Sequence, residues 1–69
     1  MLVALTSSEL KMLDSIHESI ANENVSYDEI VWLQSHQEEV KVFGDELLAE
    51  WAGIPEDEFW DAQIKMANA

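Results

Sequence analysis

The sequence predicts an all-α fold, a small bundle of about four short helices, and three observations carry that prediction. Only two glycines and one proline occur in 69 residues. Apolar residues recur mainly three or four positions apart, with no sustained strand-like alternation. Ser/Thr-x-x-Glu capping boxes stand where two of the apolar runs begin.

The first helix is announced by Thr6-Ser7-Ser8-Glu9, in which Thr6 can accept from the Glu9 amide while Glu9 reaches back to the amide of Thr6. Leu5 and Leu10 occupy the positions of a hydrophobic staple. Leu10, Leu13, Ile16 or His17, and Ile20 then form one apolar stripe. The turn-prone Asn22-Glu23-Asn24 ends it, so this helix is expected over about 7–21.

Ser26-Tyr27-Asp28-Glu29 repeats the same signal, with Val25 and Ile30 as the staple pair, and starts a second helix near Tyr27. Its end is open. Ser35-His36-Gln37-Glu38 reads either as a third capping box that restarts the helix or as its polar face, and a break near Gly44 is favoured. Asp45 suits the N-cap of a helix over about 46–52, which Gly53 can end in a left-handed conformation. Pro55 is favourable in the first turn of a last helix over about 55–66. There Glu56, Asp57 and Glu58 would interact well with the amino-terminal dipole.

Composition narrows the function classes. A chain of this length is expected to be a single acidic helical domain over 1–69, near the lower size at which a hydrophobic core alone sustains a fold. Its 48% hydrophobic content, with three Trp, two Phe and one Tyr, is too apolar for a disordered acidic tail. No cysteine is present, so neither a disulfide framework nor a thiolate zinc site is available. The apolar opening Met1-Leu2-Val3-Ala4-Leu5 lacks a basic leader and is too short for a signal sequence or a membrane span. A soluble, cytoplasmic protein is the expectation.

Charge is the most distinctive feature. Fifteen acidic residues face Lys11, Lys41 and Lys65, with no arginine, for a formal net charge of −12. Nucleic-acid binding relies on Lys and Arg displacing counterions from phosphates, so repulsion from DNA, RNA and anionic membranes is expected. Basic protein partners are favoured instead.

Leu48-Ala49-Glu50-Trp51-Ala52-Gly53-Ile54, followed by Phe59 and Ala62, resembles the helix-turn-helix signature of repressor-like DNA-binding domains. That family's pattern has a small residue in its first helix (here Ala49), a turn glycine four residues on (Gly53) and an apolar residue six further (Phe59). Leu48, Ala52, Ile54 and Ala62 also match apolar positions. The resemblance covers residues 45–64 and implies a helix-turn-helix-like arrangement for the last two helices. The departure lies in the second helix, where that family presents polar and basic groups to the major groove. Pro55-Glu56-Asp57-Glu58-Phe59-Trp60-Asp61 sets four carboxylates there, so the family's DNA contacts are not carried over.

Two readings of this acidic helix stand. In one it is a solvated face whose charges support a helix start. In the other, carboxylates three or four residues apart, such as Asp57 and Asp61, lie about 5 to 6 Å from each other on a helix surface. That spacing is comparable with phosphates along a nucleic-acid strand, so the helix could enter a basic groove of a nucleic-acid-handling protein.

The tryptophans carry a second indication. Trp51 lies on the Leu47-Leu48 side and is expected in the core. Phe59 and Trp60 are adjacent and cannot both point inward, and Trp32 competes with Ile30, Val31 and Leu33. At least one of Trp32 and Trp60 should therefore be partly exposed, either sealing a thin core or anchoring an interface.

No nucleophile, base and orienter set and no glycine-rich phosphate loop is evident, so no catalytic residue and no cofactor is assigned. His17 and His36 lack the ligand spacing of a metal site, and no EF-hand loop is present. The expected function is a non-enzymatic protein-binding domain. It would inhibit or modulate a basic, nucleic-acid-handling protein, with Glu56, Asp57, Glu58, Trp60, Asp61 and Trp32 as partner-binding residues. By size and charge this is the class of anti-restriction or anti-CRISPR factors of mobile genetic elements. The alternative is a small adaptor or assembly protein that binds through an exposed apolar-aromatic patch.

Overall fold

Both capping boxes form. In the computed structural model, which describes residues 4–68, Thr6 Oγ1 accepts from the Glu9 amide at 3.1 Å and the Thr6 amide donates to Glu9 Oε1 at 2.9 Å. Ser26 and Glu29 repeat the exchange at 3.2 and 2.9 Å. They open α1 (Ser7–Ala21) and α2 (Tyr27–Ser35). Met1, Leu2 and Val3, part of the apolar opening expected to be too short for a leader or a span, lie outside the described residues. Among the described residues no helix is long and apolar enough to cross a membrane.

α1 ends in a Schellman turn: the Glu23 amide donates to Ile20 O and the Asn24 amide to Ser19 O, at 3.0 and 2.7 Å. Glu23 itself sits at φ 56°, a left-handed conformation unusual for a residue with a Cβ.

The open question at the end of α2 resolves as two breaks, giving five helices among the described residues in place of about four. Ser35 does not cap the next helix. Its hydroxyl donates back to Val31 O at 2.7 Å, and the His36 amide donates to Leu33 O at 3.1 Å. The His36 Nδ1–H donates to Trp32 O at 2.7 Å, and its ring stacks on Trp32 with centroids 4.0 Å apart. The carbonyls at the end of α2 are thus satisfied from within the turn, and the chain redirects at His36. α3 (Gln37–Phe43) follows without a side-chain cap and ends at Gly44, whose φ is 77°.

Asp45 caps α4 (Glu46–Trp51), its Oδ1 accepting from the Leu47 and Leu48 amides at 3.0 and 3.3 Å. Its Oδ2 lies 2.6 Å from His17 Nδ1 on α1, within ion-pair distance. α5 spans Glu56–Ala67, with Pro55 as its N-cap, one position before the first turn where the sequence suggested it.

The two shortest helices form the centre. α3 and α4 each pack against all four other helices. Helices of seven and six residues are not stable alone, so their helicity depends on that packing. Leu13, Ile16 and Ile20 of α1, Leu33 of α2, Val40 of α3, Leu48 and Ala49 of α4, and Phe59 of α5 make the core. Ala52 and Ile54 of the α4–α5 turn complete it. The Cα radius of gyration is 11.6 Å, close to the ~11 Å of a compact chain this long.

Two inward assignments are corrected. Leu10 is exposed, so the buried stripe of α1 begins at Leu13. Trp51 is 39% exposed and not core. Leu48, Ala49 and Ala52 set the inward face of α4, and at 3.6 residues per turn Trp51 points roughly 100° away from it.

Two amides tie the helices. Gln37 Nε2 donates to Ala52 O and Gln63 Nε2 to Lys41 O, both at 2.7 Å. Each satisfies a carbonyl near a helix C-terminus that would otherwise lack a partner.

Candidate protein-binding surface

A tight turn joins α4 to α5. The Gly53 amide donates to Glu50 O and the Ile54 amide to Ala49 O, at 3.2 and 3.0 Å, with Gly53 at φ 78°. This Schellman turn folds Ile54 back over Ala49. Leu48, Ala49, Ala52, Ile54 and Phe59 are all buried and Ala62 is half-buried.

No charged or polar residue is buried among the described residues, so all fifteen carboxylates reach the surface. Their partners are few. Lys41 Nζ lies 2.6 Å from Glu58 Oε1 and 3.4 Å from Glu38 Oε1, and Lys65 Nζ lies 2.9 Å from Asp61 Oδ2. The hydrogen bond that Lys41 donates to Glu58 holds its ammonium above its ordinary pKa, against burial, with help from Glu38. The Ser26 amide holds the Glu29 carboxyl below its ordinary pKa, also against burial, and the Ser19 and Ser26 hydroxyls add to it.

The six residues singled out in the sequence divide accordingly. Glu56, Asp57, Glu58, Trp60 and Asp61 all lie exposed on α5. Glu58 and Asp61 are each engaged by a lysine, whereas Glu56 and Asp57 have no cationic partner among the described residues. Trp60 is 45% exposed and meets the edge of Phe59 at a centroid distance of 5.1 Å. Trp32 lies apart from this group. It is half-buried on α2 against the core, with one face of its ring covered by His36, whereas α5 packs chiefly on α3 and α4.

Sequence reasoning missed an open groove of about 260 Å³ between α4 and the start of α5. Ala49, Ile54 and Phe59 form its floor, and Glu46, Glu50 and Glu56 its rim. A signal was available, since Glu46, Ala49 and Glu50 fall at helical i, i+3, i+4 spacing, but the groove exists only once the turn brings Glu56 beside them. Among the described residues no group of three or more His, Asp or Glu side chains is placed to hold a metal ion.

Comparison with known proteins finds no matching family model, curated sequence or solved structure.

Proposed function

We propose that this protein is a non-enzymatic binding domain that presents an acidic surface to a basic, nucleic-acid-handling protein and so inhibits or modulates it. One observation carries the reading: the fifteen carboxylates all reach the surface of a chain of net charge −12, and on α5 those of Glu56 and Asp57 stand without a cationic partner among the described residues, beside an exposed Trp60. Carboxylates on a rigid helix can meet the Lys and Arg side chains that otherwise hold phosphates. Trp60 adds apolar contact area at the same place, in the manner of an interface anchor. Anti-restriction and anti-CRISPR factors are the analogous class.

A second reading is favoured by one specific feature. Ile64, 60% exposed, lies one turn beyond Trp60 on α5, so an apolar pair projects from the acidic helix. An adaptor that binds through this pair would use the acids for solubility alone.

Salt and competition distinguish the two. The immobilised protein, challenged with lysate at ~50 and ~500 mM salt, should capture nucleic-acid-binding proteins that are released by salt and by added duplex DNA. An Asp57→Asn/Asp61→Asn variant that remains helical should capture less, with a flatter salt dependence. Capture that resists both salt and DNA would support the adaptor and refute mimicry.

A further inference from the structure

The geometry points to the α4–α5 groove as a socket for a single arginine or lysine side chain of the partner. This deepens the proposed function and rests on it. The floor of Ala49, Ile54 and Phe59 is apolar, and the rim of Glu46, Glu50 and Glu56 is wholly acidic. No lysine lines the groove, and none of the three rim carboxylates takes part in an ion pair among the described residues.

The chemistry of the occupant follows from that pairing of floor and rim. An anion is repelled by three carboxylates. A purely apolar side chain would desolvate the rim without compensating it. Among the described residues no cluster of ligands is placed to coordinate a divalent metal. Arginine and lysine alone among side chains combine an apolar stem, which can lie on Ile54 and Phe59, with a cationic head that can reach the rim. The guanidinium is the better fit, because its several donors can serve two carboxylates at once and its weaker hydration lowers the cost of entering a partly apolar groove.

The fold also distinguishes this place from the rest of the acidic surface. Lys41 and Lys65 pair with Glu58 and Asp61 further along α5, while Glu46, Glu50 and Glu56 around the Schellman turn have no cationic partner among the described residues. The hydrogen bonds of that turn and the Gln37 Nε2 bond to Ala52 O fix the groove's walls before any partner arrives.

The test is an amide NMR titration of the full chain at constant ionic strength with N-acetyl-arginine methylamide. Its neutral isostere, N-acetyl-citrulline methylamide, serves as control. The arginine compound should shift the amides of Ala49, Gly53, Ile54 and Phe59 together, with a millimolar Kd. The citrulline compound should bind at least tenfold more weakly. Glu46→Gln/Glu50→Gln should weaken arginine binding by a further factor of three or more, whereas the charge-matched Asp14→Asn/Glu18→Gln on α1 should not. Glu56→Gln provides the same readout should the double variant lose its helical signal.

Shifts scattered over the acidic surface, or equal binding of citrulline, would overturn the socket. Salt-sensitive capture of basic proteins that persists unchanged in Glu46→Gln/Glu50→Gln would also remove it, while leaving the proposed function standing. Localised arginine binding without any salt-sensitive capture would uphold the socket and count against mimicry.

Discussion

Lys41 of α3 holds Glu58 of α5 at 2.6 Å, so one of the four carboxylates in the acidic run of α5 is engaged from another helix. The same residue's carbonyl accepts from Gln63 at 2.7 Å, which makes Lys41 a double clamp on α5. Its side chain is only 12% exposed, so the aliphatic stem is packed while the ammonium emerges between Glu38 and Glu58.

Lys41→Ala should therefore destabilise the fold by more than Glu58→Gln. The Glu58 change removes a half-exposed ion-pair partner and should lower stability by less than about 1 kcal/mol. The Lys41 change removes packing as well. Because the Lys41 pKa is raised in the folded state, its contribution is complete below the unfolded value of about 10.4 and is lost as pH rises through the folded value. Thermal melts above about pH 10 should show the wild type losing its advantage over Lys41→Met.

The caps make an acid-side counterpart. Thr6→Ala and Ser26→Ala should each lower stability by roughly 1 kcal/mol. The Glu29 carboxyl is held below its ordinary pKa, so its stabilising effect is present above the unfolded value of about 4.3 and disappears as pH falls through the folded value. Urea midpoints of wild type and Glu29→Gln should accordingly differ near pH 6 and converge toward pH 3. A gap that is constant with pH would assign the effect to shape and not to charge.

These caps are the part of the fold most legible in the sequence, because each is a local exchange of hydrogen bonds fixed by four consecutive residues. The same holds for Asp45 before α4 and Gly53 after it. What was not legible depended on competition between neighbours. The break at His36 arises because Ser35 bonds backward to Val31 and the His36 ring stacks on Trp32, a choice that sequence spacing leaves open. Trp51 satisfied the spacing of a core residue, yet a six-residue helix has room for one inward face and Leu48 and Ala49 occupy it. Along α5 the acidic positions were evident, but which of them meet a lysine depends on α3 lying alongside, and the groove depends on the turn.

Left-handed backbone positions give predictions of opposite sign for Glu23 and for the two glycines. Glu23 occupies a left-handed conformation at φ 56° and places a carboxylate at the C-terminal end of α1. Glu23→Gly should raise stability by about 0.5–1 kcal/mol, since glycine enters that region without steric penalty and the unfavourable charge at the helix end is removed. Gly44→Ala should lower it by about 1–2 kcal/mol, because φ is 77° and the new Cβ would lie 3.1 Å from Gln63 Oε1. Gly53→Ala, with 4.0 Å to its nearest neighbour, should show the conformational penalty alone and so be the milder of the two. Equal thermal midpoints for the two alanine variants would mean that Gln63 yields freely.

Trp60 is where stability and binding separate most cleanly. Its ring is 45% exposed and stands roughly perpendicular to that of Phe59, at the margin of the core, so truncation leaves the buried residues in place. Trp60→Ala should lower stability by about 1 kcal/mol or less, whereas Phe59→Ala, which empties a buried site, should cost about 3–5 kcal/mol. Were Trp60 an interface anchor, its truncation would weaken partner binding at high and low salt by the same factor, because apolar contact is not screened. Asp57→Asn/Asp61→Asn should instead weaken binding mainly at low salt. Measuring both variants across a salt series thus assigns the two components of the surface independently. A folded Trp60→Ala protein with undiminished affinity at every salt concentration would leave the carboxylates alone as the basis of recognition.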